Sequence, residues 1–358
     1  MTSQHEVALL RLVAQRIAGP RAATAAEAVC GLTAAQGQDY PGALTSVALR
    51  TAGATRTDVE AALDAGEVVR SWPMRGTLHL VAAEDLGWLR DLCVPRVLAG
   101  FGQRRERLGL TDADAARARE AAVAALRGGG RLGRGTLLHA LAEGGVPTEG
   151  QRGYHLLAYL AHTGTLCLGP TGDREQLFVL TDEWIRAPRR LDGDAALREL
   201  ALRYFASHGP ATVADLARWS GLKLTDVRRG LALARDDLAD TDLADPEVDG
   251  VVHYLDPAVP DRLAACREEA RGVFLLPGFD EFVLGYADRG AVLDPAFADR
   301  IVPGGNGMFR ATVVSDGRIV GTWRRTGRGT ARSVEAEPFT AFSDDVAAMV
   351  PKLAAALG

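Results

Sequence analysis

A chain of 358 residues with 47% hydrophobic and 24% charged side chains has the balance of an ordinary soluble globular protein with room for two or three domains. Its formal net charge of -5 excludes a protein coated in positive potential, although a nucleic-acid binder needs only one basic face. No run approaches the roughly eighteen apolar residues of a membrane span, and Met1-Thr2-Ser3-Gln4-His5-Glu6 lacks a basic stretch followed by an apolar one, so a cytoplasmic protein with no membrane partner is expected.

Apolar positions at Val7, Leu10, Val13 and Ile17 fall near the 3.6-residue period and predict a first helix over 5–18. Helices over 24–35 and 41–51 follow, and Thr57 opens another with Asp58 and Glu60 in its first turn. The period then changes to two. Segments 67–72 and 77–81 read as strands joined by Pro73-Met74-Arg75-Gly76, so several helices lead into a hairpin, the plan of a winged helix-turn-helix.

That plan recurs as an internal repeat. After a helix over 84–100 and a loop over 104–110 come helices over 111–126, 135–143 and 151–162, then strands over 166–168 and 177–180 around Gly169-Pro170-Thr171-Gly172-Asp173, a second wing. The third copy has helices over 195–207, 212–220 and 225–238 with Gly221 at the turn, and strands near 239–243 and 251–254. Its short-helix, glycine, longer-helix spacing is that of a DNA-binding helix-turn-helix. From Gly272 the texture shifts to strand, over 273–276, 309–314 and 318–323, and a helix over 344–357 closes the chain. Ser315-Asp316-Gly317 joins the last two strands with the positive φ that a short hairpin needs. Gly304-Gly305-Asn306-Gly307 lacks the spacing and lysine of a P-loop and reads as a flexible loop. The expected class is therefore α+β, mainly α: three tandem winged helix-turn-helix units over 1–110, 111–192 and 193–270, and a small β-rich unit over 271–358.

One stretch reads as a site. In Ala34-Ala35-Gln36-Gly37-Gln38-Asp39-Tyr40-Pro41 a helical run closes, and Pro41 discourages helix for the residue before it. Gln36 and Gln38 are then expected at a helix end, where both amides can aim at one point. An amide takes up no proton near neutral pH, but it donates and accepts hydrogen bonds at once, which suits holding a water molecule. The competing reading makes both residues ordinary capping or surface amides. The cysteines, Cys30, Cys93, Cys167 and Cys266, are widely spaced among apolar neighbours with no CxxC pair, so reduced core residues are expected and no zinc site. The histidines form neither HExxH nor HxE with CxxC, and neither metal nor cofactor is expected. Basic clusters occur at Arg104-Arg105-Glu106-Arg107, at Arg186, Arg189 and Arg190, at Arg228-Arg229, and at Arg324-Arg325 with Arg328 and Arg332; each taken alone reads equally as a solvated face.

Three separated segments resemble one family in the right order: the Gln-x-Gln element, Ser71-Trp72-Pro73-Met74-Arg75-Gly76-Thr77-Leu78-His79-Leu80-Val81, and Leu275-Leu276-Pro277-Gly278-Phe279-Asp280-Glu281-Phe282-Val283-Leu284-Gly285-Tyr286. Together they resemble the AlkZ-like family of bacterial winged-helix DNA glycosylases over nearly the whole chain. The resemblance implies that Gln36 and Gln38 are catalytic; Gly37 departs from the apolar residue usual between them. It implies as substrate double-stranded DNA with alkylated bases, with bulky natural-product adducts or interstrand crosslinks among them, in repair or self-resistance. N7-alkylation turns guanine into a cationic leaving group, so the enzyme has chiefly to place a water at C1′ and stabilise positive charge. Asp39 and Glu281 are candidates for an added carboxylate, Asp39 equally for a turn or cap. Lyase chemistry needs an amine, and the only lysines are Lys223 and Lys352, so hydrolysis alone is expected. Arg75 and His79 at the first wing and Arg324 and Arg325 beside the last hairpin are the candidate DNA contacts, with His79 equally a core histidine. Phe279, Asp280, Glu281 and Tyr286 are expected to lock the β unit onto the helices. A monomer can curve three such units around a duplex. The alternative is a winged-helix transcription regulator without enzymatic activity.

Overall fold

The computed structural model describes residues 3–172, 175–242, 251–327 and 333–357. Asp173, residue 243 of the expected strand, Arg328 and Arg332 lie outside the described residues. The architecture is mixed α+β and mainly helical, as expected. Among the described residues no helix is long and apolar enough to cross a membrane.

Ser3 caps helix α1 (Gln4–Ala14) and Thr24 caps α2 (Ala25–Leu32), each hydroxyl accepting a backbone N–H of the first turn. A two-residue strand β1 (Ala35–Gln36) leads into α3 (Tyr40–Leu49) and α4 (Arg56–Asp64), the latter opened by a Thr55–Asp58 capping box. Strands β2 (Val68–Met74) and β3 (Thr77–Ala82) form the first hairpin. Its tip is narrower than the sequence suggests: Pro73 and Met74 remain in strand, and only Arg75 and Gly76 turn, at φ 54° and 70°. Helices α5 (Leu86–Cys93) and α6 (Pro95–Arg107) stand where one helix over 84–100 is expected, α6 runs on into the loop expected over 104–110, and the arginines of that basic cluster complement its carbonyl end.

Next come α7 (Asp112–Leu126), α8 (Arg134–Glu143), α9 (Arg152–His162), β4 (Leu166–Thr171), β5 (Gln176–Leu180) and the short α10 (Thr181–Trp184). The third set is α11 (Gly193–His208), α12 (Val213–Ser220), which ends at left-handed Gly221, α13 (Leu224–Ala234), β6 (Ala239–Asp242) and β7 (Val252–Leu255). The last part holds α14 (Val259–Ala270), β8 (Val273–Leu276), α15 (Glu281–Leu284), α16 (Ala298–Ile301), β9 (Ala311–Ser315), β10 (Arg318–Thr326), β11 (Ser333–Pro338) and α17 (Asp344–Ala356).

Two connections differ from a string of separate units. The first two hairpins share one five-stranded sheet, in the order β1-β3-β2-β4-β5, joined where Arg70 faces Leu168. Helix α1 packs its apolar face, with Leu9, Leu12 and Val13, into the core of the last part of the chain, against Leu263, Phe282 and Val314. The Asp316-Gly317 tip docks on that helix: a Cβ at Gly317 would lie 3.0 Å from Ala8 Cβ, and Asp316 is bound by Arg271 and His5. This hairpin tip is therefore packed against the protein's own first helix. The arginines at the other end of β10 are 7 and 8 residues from Gly317.

Candidate active site

Gln36 and Gln38 do not sit at a helix end. Helix α2 stops at Leu32 because Thr33 turns to φ 70°, and β1 lies along β3 with Ala35 opposite Leu80 and Gln36 opposite His79. The Gly37 N–H donates to Leu78 O at 2.7 Å, and a Cβ at Gly37 would come within 3.2 Å of the His79 backbone. Glycine thus lets the loop lie flat on β3. The Gln38 backbone N–H donates to Gln36 Oε1 at 2.8 Å, which fixes the orientation of the Gln36 amide, because only its oxygen can accept. Its Nε2 then donates to Gln38 Oε1, and the two amides are interlocked.

Gln36 is buried, whereas Gln38 is exposed on an open cleft of about 1100 Å³ walled by Asp39, Phe279, Met308, Phe309 and Arg324. Asp39 occupies the cap position of α3, but its side chain binds no helix N–H. Its carboxylate instead lies over Gly42, where a Cβ would overlap it.

Several side chains hold this loop from below. Arg70 of β2 donates from Nε to Gly37 O at 2.7 Å and from Nη1 to Gln176 Oε1 at 2.8 Å, with its guanidinium 5.3 Å from the Tyr40 ring centre. Burial lowers its pKa to about 10, so it stays cationic at neutral pH. Glu281, 1% exposed, accepts the Gln36 backbone N–H on Oε1 at 2.8 Å and the Trp219 indole N–H on Oε2 at 2.9 Å. His208 Nε2 lies 3.6 Å from Oε2, an ion-pair distance too long for a hydrogen bond. Burial pushes the Glu281 carboxyl up, but His208 above all, with His79 and Trp219, outweighs that and brings its pKa to about 2. Beside it, Asp280 accepts both Arg50 nitrogens at 2.8 and 2.9 Å and the Ser46 hydroxyl at 2.7 Å, all buried. Gln15 links Arg50 to Tyr286, whose hydroxyl donates to His208 O at 2.8 Å. Asp280, Glu281 and Tyr286 join the last part of the chain to the helices through these bonds.

The remaining sequence candidates are scattered. His79 is fully buried and does not face the cleft. Its Nδ1 lies 2.9 Å from Thr77 O and must carry the proton, so Nε2 accepts from Arg75 Nη2 at 3.2 Å. Burial, then the Arg75 charge, lowers its pKa to about 4. Arg75 is half-buried against the turn after α12, where a Cβ at Gly221 would lie 3.2 Å from Arg75 Cγ, so in this structure it reaches His79 and not solvent phosphate. Arg324 is exposed on the cleft wall, paired with Glu335 at 2.7 Å, and Arg325 donates to Leu357 O at 2.9 Å. Sequence reasoning missed Arg70, His208, Trp219 and Arg50, which lie outside the motif and belong to no recognisable spacing. Among the described residues, Cys30, Glu84 and Asp85 bring metal-type ligand atoms together, but Asp85 is already held by Arg203, Arg189 and Trp88.

A family model described as DNA glycosylase AlkZ-like matches residues 29–358. The chain belongs to that family. It is 28% identical over 318 residues to the interstrand DNA cross-link repair glycosylase of Streptomyces sahachiroi, a match covering 85% of this chain and 83% of that protein. The solved structure of Streptomyces sahachiroi DNA glycosylase AlkZ superposes with a TM-score of 0.78 at 25% identity, covering 99% of this chain and 95% of that one. This AlkZ-like chain is accordingly a DNA glycosylase, and the regulator alternative is not favoured.

Proposed function

We propose that this glycosylase hydrolyses the N-glycosidic bond of alkylated nucleotides in duplex DNA, N7-alkylguanine above all, with Gln36 and Gln38 holding the attacking water. The observation that carries this reading is the interlocked pair of amides, with Gln38 on the cleft and Gln36 buried directly beneath it. After their mutual bonds each carbonyl oxygen keeps a lone pair, and Gln38 Nε2 keeps its donors. Two carbonyls converging on one water orient its lone pair and place negative dipole ends where the sugar becomes positive. The water oxygen bonds to C1′ as the C1′–N9 bond breaks, and the bond's electron pair neutralises the cationic base. The water proton then passes to solvent or to Asp39, whose carboxylate caps no helix.

Arg324 and Arg325 are assigned to phosphate contacts, and Arg75 and His79 act from behind β3. The enzyme works as a monomer, with the helix-and-hairpin units over 1–110, 111–192 and 193–270 curved around the duplex and the unit over 271–358 walling the cleft. Lys223 and Lys352 are both exposed and neither lines the cleft, which supports hydrolysis without lyase chemistry. The similar Streptomyces protein is named for interstrand crosslink repair, and unhooking of crosslinks joined through guanine N7 is proposed here too. Duplex DNA carrying one N7-methylguanine, and a second duplex crosslinked through N7, should both yield abasic sites on incubation. No abasic sites from either, together with a tight complex on one undamaged sequence, would return the chain to a binding role.

A further inference from the structure

We propose that Glu281 is a positioning residue for the Gln36–Gln38 pair, clamping the backbone of Gln36 to Trp219 of α12 through its two carboxylate oxygens. The proposal rests on the reading of that pair as the water-holding element. Strand β1 has only two residues and only β3 beside it, so it is poorly fixed by its own ladder. Successive backbone N–H groups of a strand alternate in direction. The Gly37 N–H faces β3 and bonds Leu78 O, so the Gln36 N–H faces away, toward an edge that no strand covers. A buried N–H cannot be left unpaired without cost, and Glu281 Oε1 is its partner at 2.8 Å.

The carboxylate is itself over-determined. It begins α15, immediately after Asp280, which Arg50 and Ser46 grip from α3, and Phe279 before them is held at φ 60°. Its second oxygen takes the Trp219 N–H at 2.9 Å, and His208, 3.6 Å away, is stacked on Tyr204 with ring centres 4.6 Å apart. A group facing two N–H donors on two oxygens must be acceptor-only. An ionised carboxylate meets that demand and a carboxamide does not, because its NH2 would confront one donor. Misplacing Gln36 by a fraction of an ångström would carry Gln38 with it, since the two amides are interlocked.

The test is single-turnover excision of N7-methylguanine, read beside affinity for the same duplex and thermal melting. Glu281→Gln should slow excision by about 10-fold or more, towards the roughly 10²-fold cost of a misplaced reacting group, while DNA affinity stays within about twofold. Adding Trp219→Phe removes one of the two donors, so Glu281→Gln/Trp219→Phe should excise faster than Glu281→Gln alone. That double variant also loses buried volume and should melt lower, so rate and stability move in opposite directions, which a merely structural role would not produce. In the wild-type protein the Gln36 amide hydrogen should exchange slowly despite its edge position, a measurement that needs no variant. Fast exchange, a wild-type rate for Glu281→Gln, or a double variant no faster than Glu281→Gln would each overturn the clamp. Gln36→Ala run alongside separates the two claims: a wild-type rate there overturns the water-holding pair itself, whereas its loss with Glu281→Gln unaffected overturns the clamp alone.

Discussion

Gln36 and Gln38 lie too close to act separately: the Gln36 amide spends one acceptor and one donor on Gln38, and the Gln38 amide accepts once in return. Gln36→Ala or Gln38→Ala should lower single-turnover excision by roughly 10² to 10³, the cost of one lost preorganised hydrogen bond, with melting and DNA affinity nearly unchanged. The double substitution should cost less than the product, because both act on one water. His79 behind them sets a pH limit. Its folded pKa of about 4 lies below the ordinary 6.5, with burial and then Arg75 opposing its charge and Glu281 and the Thr77 carbonyl favouring it. Its contribution to stability is therefore complete above pH 6.5 and falls as pH drops from 6.5 to 4, where the unfolded chain binds the proton first. His155, also lowered to about 4, and His162 and His253 add to the same slope. Urea midpoints measured across this range should decline, and His79→Asn should make the decline shallower. Glu281 extends the loss between pH 4.5 and about 2, as the native carboxylate is finally protonated.

At the scale of the element, most helices and both sharp hairpins were legible because local chemistry dictates them. Thr111 and Thr212 each form a capping box with an aspartate three residues on, and Asp316-Gly317 takes φ 49° and 77°. What escaped was set by tertiary contact. Strand β1 lies against β3, so a run of small residues that reads as helix to residue 35 is broken at Thr33. Strand β11 alternates exposed Ser333, Glu335 and Glu337 with half-buried Val334, Ala336 and Pro338, but two glutamates, a small alanine and a proline make it a weak strand signal. The motif and Glu281, 245 residues from Gln36, were both visible as candidates, while Arg70, which holds Gly37 from 33 residues away, was not. Two predictions belong here. Gly37→Ala should slow excision with little change in stability, since the added Cβ must push the loop off the His79 backbone while the unfolded chain loses freedom. Among the described residues, Arg324 is held by an exposed ion pair with Glu335, which costs little to exchange for phosphate. Arg324→Ala should weaken binding equally on all sequences and reduce the salt slope by about 1; an unchanged slope would leave Arg324 a sheet-edge charge.

For the whole molecule, the fully buried Arg50–Asp280 pair is the bond most exposed to damage, because it joins α3 to the start of α15. Asp280→Ala leaves a guanidinium stranded without water and should cost about 3 to 5 kcal/mol in equilibrium unfolding. Borohydride should trap no protein–DNA adduct, and Lys223→Ala or Lys352→Ala should leave base release unaffected.

The docking of α1 has a consequence for how the protein is made. Translation delivers that helix well before most of its partners, because the bulk of the core around Leu9, Leu12 and Val13 lies between Leu255 and Ile319. At roughly 5 to 20 residues per second the wait is on the order of 10 to 50 s, and a lone helix of 11 residues is marginal in water throughout it. The nascent chain therefore carries a largely unsatisfied sticky segment until that core is made. A premature stop before residue 259 would release a product that keeps its glutamine motif, yet is drawn into aggregates by the bare apolar face of α1.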